Sequence, residues 1–273
     1  MMIPGSYNAS NVHRDIDREI QRLYTQVLLS WDKEARTLAP FGLNDCMSVL
    51  ELGSGPGFFT QKLLTWLPNI AVIAVEIAPI LVLRAKHQLQ DKIGKRLQII
   101  GTSVMDTELK ESSFDFAVAR LLFQHLPDPS GAAKEILRVL KPGGKLVIID
   151  IDQDIQSIVD PPIPKSPSLL LDNDSHLQAS QGGNALIGRR LRRILKEVGF
   201  QNLDLEAIVF NSDELGVEGF SERFDPDLLL PIVKAGLVTE QEKQDFVTSY
   251  QQFLRLADPF VLNVWLMAYG EKP

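Results

Sequence analysis

The sequence predicts an α/β fold: a doubly wound, mostly parallel sheet of seven strands that carries a mostly helical cap. Two observations lead there. Short apolar runs follow one another between Val49 and Asp150, each short enough for a buried strand. The first of them, Val49 to Leu52, stops in a turn with glycine at 53, 55 and 57, and a helix-compatible run from Phe58 to Trp66 follows at once. A strand that ends in such a turn brings bare backbone and the free N–H groups of a helix start to one place. Both can then meet a ligand.

Residues 10–39 precede that strand and read as a helix, since Ile16, Ile20, Leu23, Val27 and Trp31 recur at three- and four-residue steps. Ala71 to Val75 is a second buried strand, ending at Glu76. Leu97 to Ile100 is a third and Phe114 to Ala119 a fourth, while Leu140 to Lys145 turns into a fifth at Leu146 to Asp150. From Asp152 to Gly183 the chain is rich in Pro, Asp, Asn, Ser and Gln, which predicts a loop or loosely helical insertion. A helix from Leu186 then stops at Gly199, a fitting C-cap, before strand six at Leu203 to Phe210. Strand seven is Phe260 to Tyr269. The connection before it, 212–258, holds helical patterns at Pro226 to Ala235 and Thr239 to Leu256, too ordered for a plain loop of that length. The expected organisation is a helical cover (1–45), a ligand-binding core (46–152), an insertion (153–185), a core helix with strand six (186–211), a helical cap (212–258) and strand seven (259–273).

The spacing of the glycines bears on the ligand. A dinucleotide fingerprint places its third glycine one position later, where this chain has Phe58. A P-loop needs Gly-Lys-Ser/Thr, which is absent. Glu76 lies roughly twenty residues past the turn, where a doubly wound fold positions the acid that takes ribose hydroxyls. Ile77 follows, placed to cover an adenine face.

The run V-L-E-L-G-S-G-P-G, with Glu51 ahead of the glycines, resembles motif I of the class I S-adenosylmethionine-dependent methyltransferases. The segments A-V-E, S-S-F-D-F-A-V-A-R-L-L-F-Q-H-L-P-D-P and R-V-L-K-P-G-G-K-L-V-I-I-D resemble the small-molecule branch of that family in the same order, across about 49–152. The resemblance implies a Rossmann-like methyltransferase sheet, S-adenosyl-L-methionine as cofactor, and cofactor contacts from Glu51, Gly53, Ser54, Gly55, Gly57, Glu76, Ile77, Ser103, Val104 and Arg120. The family commonly carries an Asp directly after the third-strand glycine to meet the adenine amino group. This chain has Thr102 there, which passes that contact to Ser103 or to backbone near Val104.

Composition narrows the acceptor. Of 273 residues, 45% are hydrophobic and 23% charged, an ordinary globular balance. The net charge of −7 disfavours nucleic acid, whose enzymes cluster Lys and Arg against phosphates. The one basic cluster, Arg189-Arg190-Leu191-Arg192-Arg193, reads as the solvated face of a helix. Cys46 alone cannot build a disulfide framework and suits a reducing compartment. No basic-apolar leader opens the sequence, and the apolar stretch from Ile70 to Leu83 is broken by Glu76 and Pro79, so a cytoplasmic location without a membrane span is expected. The four histidines form no metal-ligand spacing, so no metal is expected.

Methyl transfer from a sulfonium asks mainly for alignment and exclusion of water, with a base only where the acceptor must shed a proton. Candidate bases are His125, Asp150, Asp152, His176, His13 and Tyr7. His125, just after strand four, is the first choice because ligands of open α/β sheets bind at the strands' carboxyl ends. The function expected is methyl transfer to O, N or C of a small molecule. Methylation of RNA or protein, or adenosylmethionine binding by a non-catalytic regulator, are the alternatives.

Overall fold

A computed structural model describes residues 5–7, 15–163 and 175–273. One mixed sheet organises them. Strands β1 (Ser48–Leu52), β2 (Ala71–Glu76), β3 (Leu97–Gly101), β4 (Phe114–Arg120) and β5 (Leu140–Asp150) run parallel, β1 lying between β2 and β4. The order across the sheet is β3-β2-β1-β4-β5-β8-β6, with β7 (Gln201–Asn211) also paired to β8 (Phe260–Glu271). Chain order reverses between β1 and β4, so the carboxyl ends of β1, β2 and β4 open a crevice at the switch point.

Strand β8 is antiparallel to its neighbours. One of its edges carries β5 against Leu266 to Glu271 and then β6 (Ser157–Asp160) against Phe260 to Asn263; β7 takes the other. The sheet therefore has eight strands among the described residues, not seven. The additional one, β6, falls in the stretch expected to be loop. Its four residues, Ser-Ile-Val-Asp, leave Ile158 largely exposed, so no apolar alternation marks it in the sequence. Strand β5 also begins earlier than expected, at Leu140. The pairing slips between Phe114 and Phe116, and this irregularity absorbs the Lys-Pro-Gly-Gly run.

Helices cover both faces. On one lie α1 (Ile16–Leu38), capped at Asp15, with α2 (Phe58–Trp66) and α3 (Pro79–Gln88). Their apolar faces join Val118, Ile149 and Trp265 of the sheet in one cluster. On the other face, α4 (Pro129–Val139) packs through Ala132, Ala133 and Ile136. Beside it, Leu191, Ile194 and Leu195 lie on a short helix (Leu191–Val198) that ends at left-handed Gly199. The helical stretch after β7 is continuous with the first cluster: Phe220, Phe224, Leu229, Ile232, Phe246, Tyr250 and Phe253 are buried there. Its longest helix, Glu240–Phe253, starts with a capping box between Thr239 and Glu242. These residues make it part of the main core, not an appendage.

Candidate functional site

The turn after β1 is held by its neighbour strand. The N–H groups of Gly53 and Ser54 both donate to the Val75 carbonyl, at 2.8 and 3.0 Å. Gly55 and Gly57 sit at φ of 55° and 87°, conformations that L side chains seldom adopt. The two serve different ends. A Cβ on Gly55 would stand in open space at the cavity, whereas one on Gly57 would come within 2.8 Å of Leu89 and 3.3 Å of Ala85. Gly57 thus lets α2 pack on α3, and Gly55 leaves room for a ligand. The Ser54 hydroxyl beside it is buried and has no hydrogen-bond partner among the described residues.

Two acids flank this cradle. The Glu76 carboxylate accepts from the N–H of Gly55 at 2.9 Å and of Ala78 at 2.8 Å, which fixes it at the end of β2. Burial raises its pKa, and the backbone N–H groups of Ala78, Gly55 and Ile77 oppose that rise. Glu51 is buried under the turn and accepts from the Thr60 hydroxyl at 2.6 Å. Burial pushes its carboxyl up to about 8, against the opposing pull of Thr60 and Arg120.

Arg120 lines the same cavity and is anchored to the first helix. Its guanidinium donates to Glu34 of α1 at 2.9 and 3.2 Å, to the Gln26 carbonyl at 3.0 Å and to the Ser30 hydroxyl at 3.0 Å. It also lies over the Trp265 ring, 4.8 Å from the centroid. The side chain is a wall between α1 and the sheet, and its Nε and Nη2 donors are taken up by α1.

One cavity of about 770 Å³ runs from the glycine turn to β8, toward the large end of ordinary ligand pockets, about 300–1,000 Å³. Glu51, Gly53, Ser54, Gly55, Glu76, Ile77, Ser103, Val104, Arg120 and His125 all line it. Gly57 does not, since its role is between helices. Thr102 turns its hydroxyl to the Asp106 carbonyl at 3.2 Å, and Ser103 accepts from the Met105 N–H at 3.1 Å, so this corner of the cavity is a closed local turn.

Above the crevice lies a strap formed by residues 5–7 and the helical segment 175–180. The Ser6 N–H donates to the His125 carbonyl at 3.0 Å, and the Ser6 hydroxyl meets His125 Nδ1 at 2.9 Å. Gln178 Nε2–H donates to the same Nδ1, at 3.3 Å, which leaves the ring proton on Nε2. Burial, and then Arg22, push the imidazole down to about 4, with Glu19 opposing. This differs from the expected base. At neutral pH the ring is uncharged, and its basic nitrogen is already engaged by the strap. Tyr7 lies 5.3 Å from it, centroid to centroid, and donates its hydroxyl to Glu19 at 2.6 Å. Burial and Glu19 raise the Tyr7 phenol well above its ordinary range, so it stays protonated.

Asp150, Asp152 and His176 are not among the residues that line the cavity. Asp150 accepts from the N–H of Gln124 and Ile151 in the interior, and burial raises it to about 7. Asp152 is paired with Arg189 at 2.5 Å. His176 is exposed, and His13 falls outside the described residues. Arg189 of the basic cluster is held by Asp152 and Asp154, and Arg190, Arg192 and Arg193 are exposed, so the cluster is a solvated face. Among the described residues, no group of three or more His, Cys, Asp or Glu side chains is placed to hold a metal ion, and no helix is long and apolar enough to cross a membrane.

The far end of the cavity was not legible in the sequence. It is walled by Phe210, Phe220, Leu229, Ile232, Phe246 and Trp265, with Asn263 and Gln153 beside them. Asn263 Oδ1, Trp265 Nε1 and Gln153 Nε2 are buried with no hydrogen-bond partner among the described residues. The sequence does carry one trace of this. Asn263 interrupts the apolar strand F-V-L-N-V-W-L-M-A-Y, where a buried polar side chain needs a reason.

Comparison with known proteins adds the family. The profile of the methyltransferase domain matches residues 11–205. The chain belongs to the methyltransferase-domain family. Among curated relatives, a malonyl-[acyl-carrier protein] O-methyltransferase from Paenibacillus sp. (strain JDR-2) is 26% identical over 145 residues, 52% of this chain and 49% of that protein. A demethylmenaquinone methyltransferase from Lactiplantibacillus plantarum is 32% identical over 133 residues, 48% of this chain and 55% of that protein. The chain spans about half the length of these relatives. Two solved structures share the fold. Haemonchus contortus phosphoethanolamine N-methyltransferase 2, in complex with S-adenosyl-L-methionine, superposes with a TM-score of 0.60 at 19% identity, over 89% of this chain and 53% of that one. The [4+2]-cyclase SpnF superposes with a TM-score of 0.52 at 18% identity, over 85% and 77%. A methyltransferase-domain fold therefore also occurs in a protein named for a different reaction, and function has to be argued from the site.

Proposed function

We propose that the protein binds S-adenosylmethionine and transfers its methyl group to a small-molecule acceptor. The observation that carries this reading is the cradle at Gly55. Its missing Cβ faces open cavity, the unpartnered Ser54 hydroxyl stands beside it, and the Glu76 carboxylate is fixed by backbone N–H groups at the rim of the same space. That donor set fits the cofactor: Glu76 toward the ribose hydroxyls, the glycine turn and Glu51 toward its amino acid end, and Ile77, Ser103 and Val104 around the base. Once bound, it supplies an electrophilic sulfonium methyl. The protein's part is to seat an acceptor in line, at roughly 3–3.5 Å, and to keep water out. The strap over His125 and the aromatic wall of the far chamber suit both tasks. The bound cofactor would supply the methyl group and take back the carbon–sulfur bonding pair, and this chain's residues would hold the acceptor's lone pair in line with it.

The concave, largely apolar cavity and the net charge of −7 support a small acceptor over RNA or protein, and an intracellular setting accords with a single free Cys46. The decisive measurement is calorimetric titration with adenosylmethionine. Glu76→Ala removes an acceptor of charged hydrogen bonds worth roughly 1.5–3 kcal/mol each, so affinity should fall at least about tenfold. Gly55→Val should weaken binding further while the melting transition stays cooperative. Unchanged affinity in both folded variants would overturn the site. A screen of acceptors, following S-adenosylhomocysteine by mass spectrometry, then separates an enzyme from a non-catalytic binder.

A further inference from the structure

Arg120 stands between the two ends of the cavity, and its donors are not all spent. The side chain is only 9% exposed and lines the cavity. A guanidinium carries five N–H groups in one plane, one on Nε and two on each terminal nitrogen. Nε gives its proton to Glu34, and Nη2 gives its two to the Gln26 carbonyl and the Ser30 hydroxyl, all on α1. Nη1 has no hydrogen-bond partner among the described residues, and it is not one of the unpaired polar atoms sealed from solvent. Its two N–H groups are therefore open, on the edge of the guanidinium turned away from α1. The guanidinium lies on the chamber side, 4.8 Å from the Trp265 ring centroid against 5.8 Å from that of Phe59 at the start of α2.

A second observation concerns the removal of a proton. The carboxyl, phenol and imidazole groups on the described lining are those of Tyr7, Glu51, Glu76, Asp225 and His125. Each is engaged. Tyr7 donates to Glu19, His125 Nδ1 is taken by Ser6 and Gln178, and Glu51 accepts from Thr60. Glu76 is bound by the N–H groups of Gly55 and Ala78, and Asp225 by that of Asp227 at 2.8 Å. An acceptor that must shed a proton finds no uncommitted base among these groups. One that arrives already ionised needs none.

We propose that Arg120 Nη1 holds the methyl acceptor, and that this acceptor is a carboxylate on an apolar body. One carboxylate oxygen accepts from Nη1. A two-pronged grip is closed because Nε and Nη2 are spent, so the second oxygen stays free to face the methyl group. A guanidinium suits a carboxylate and repels an ammonium. The apolar body enters the chamber beyond, where Phe210 and Trp265 meet edge-on with centroids 5.0 Å apart and Phe220 stacks on Phe210. The free oxygen gains the methyl group, the carbon–sulfur pair stays with the sulfur, and no proton has to leave. The product is a methyl ester. The inference rests on the methyl-transfer reading, and its test lets the two fail separately.

The probes are 4-phenylbenzoate, 4-phenylbenzamide, 4-phenylphenol and 4-phenylbenzylamine, four head groups on one biphenyl. They are titrated by calorimetry near neutral pH into the whole protein saturated with S-adenosylhomocysteine. The carboxylate should bind at least about threefold more tightly than the amide and the phenol, and at least about tenfold more tightly than the amine. Buffers of different ionisation heat count protons, and the carboxylate should bind with none taken up or released. Replacing Arg120 alone would strand Glu34, so Arg120→Gln is combined with Glu34→Gln, and a cooperative melting transition shows that the variant folds. Its carboxylate affinity should fall at least about tenfold, while its affinity for S-adenosylhomocysteine changes by less than about threefold. The inference is overturned by an amide, phenol or amine that binds as tightly as the carboxylate. Proton uptake with the carboxylate, or no carboxylate binding at submillimolar concentration, overturns it equally. A carboxylate preference that survives the double exchange does so too, and moves the anion to Lys234, a lining cation without a partner among the described residues. A loss of about tenfold or more in S-adenosylhomocysteine affinity also overturns it, by assigning Nη1 to the cofactor. If the double variant does not fold, the four probes and the proton count on the parent protein decide. Failure of the parent to bind S-adenosylhomocysteine counts against the methyl-transfer reading alone; the same titrations on the unliganded protein then still decide the carboxylate site.

Discussion

The two ends of the cavity are built on opposite principles. At the glycine turn, nearby backbone satisfies most polar groups, Glu76 through the N–H groups of Gly55 and Ala78 and the turn through the Val75 carbonyl, and the Ser54 hydroxyl alone is left without a partner among the described residues. The glycine turn, Glu51 and Glu76 all lie within some thirty residues of sequence. At the chamber, walls come from α1, β7, β8 and the stretch after β7, and Asn263 Oδ1 and Trp265 Nε1 are buried there without a hydrogen-bond partner among the described residues. A site for a constant ligand can be finished in advance by short-range hydrogen bonds. A site for a particular acceptor keeps its polar groups unspent until that acceptor arrives, and the rest of the fold has to carry the cost.

What carries it is visible in the ion pairs of α1. Arg120 and Glu34 are buried against each other across 86 residues of chain, whereas Arg18–Asp227 and Lys33–Glu214 join α1 to the later helical stretch nearer the surface. The buried pair and the exposed pairs should differ sharply. Glu34→Ala leaves the Arg120 guanidinium buried beside Trp265 without its carboxylate, and breaking such a pair typically costs about 3–5 kcal/mol. Arg18→Ala and Lys33→Ala should each cost at most about 1 kcal/mol. Urea denaturation of the three variants measures this directly. A loss for Glu34→Ala as small as for the exposed pairs would mean that α1 is not what holds the chamber shut.

The next effect belongs to the glycine-turn end and depends on pH. In the unfolded chain Glu51 ionises in the ordinary carboxylate range; in the folded protein burial holds it protonated up to about 8. Between those values the folded state binds the extra proton, so this group's stabilisation is full at low pH and is lost as pH rises toward 8. Each pH unit of displacement is worth about 1.4 kcal/mol, and half of the displacement would give about 2 kcal/mol. Asp150, raised to about 7 by burial, acts in the same direction. Glu51→Gln should therefore lose less stability than the parent between pH 5 and pH 8, measured as the change in urea midpoint. Equal slopes for the two proteins would show that Glu51 is ionised in the folded state and that the turn is more polar than its burial indicates.

The same contrast explains what the sequence could tell. Strand, glycine turn and Glu76 are neighbours in the chain, and their spacing is dictated by one βαβ unit, so they could be read directly. Eleven residues were expected at the site, and all but Gly57 line the cavity. Gly57 was misread because a glycine needed for ligand approach and one needed for helix packing look identical in sequence; only Leu89 and Ala85 distinguish them. Arg120 came from the family resemblance, but its partner Glu34 comes from a helix whose amphipathic pattern gives no hint of a buried acid. Strand β6 escaped because an exposed four-residue edge strand has no apolar alternation to betray it. Asn263 and Trp265 escaped because strand propensity does not separate a cavity-lining side chain from a core one.

His125 is where that limit matters most, and where the smallest effect is expected. From sequence it stands where a general base belongs; in the fold its Nδ1 receives Gln178 and meets Ser6, and burial takes its pKa down to about 4. Such a ring is a fixed acceptor that pins the strap over the crevice. Asn offers an amide oxygen near the position of Nδ1 and cannot take a proton at any relevant pH. If the strap contact is the whole role, His125→Asn should change kcat by less than about threefold and leave the pH–rate profile between 5 and 8 unaltered, while His125→Ala should lose more by freeing the strap. A general base would behave otherwise: both variants would fall by roughly 10²–10⁴, with partial recovery as rising pH ionises a hydroxyl acceptor. That second result would move proton transfer onto a strap whose hydrogen bonds must break for each turnover. It would also mean that the chamber end of the cavity shares the chemistry with the strap, and does more than receive the acceptor.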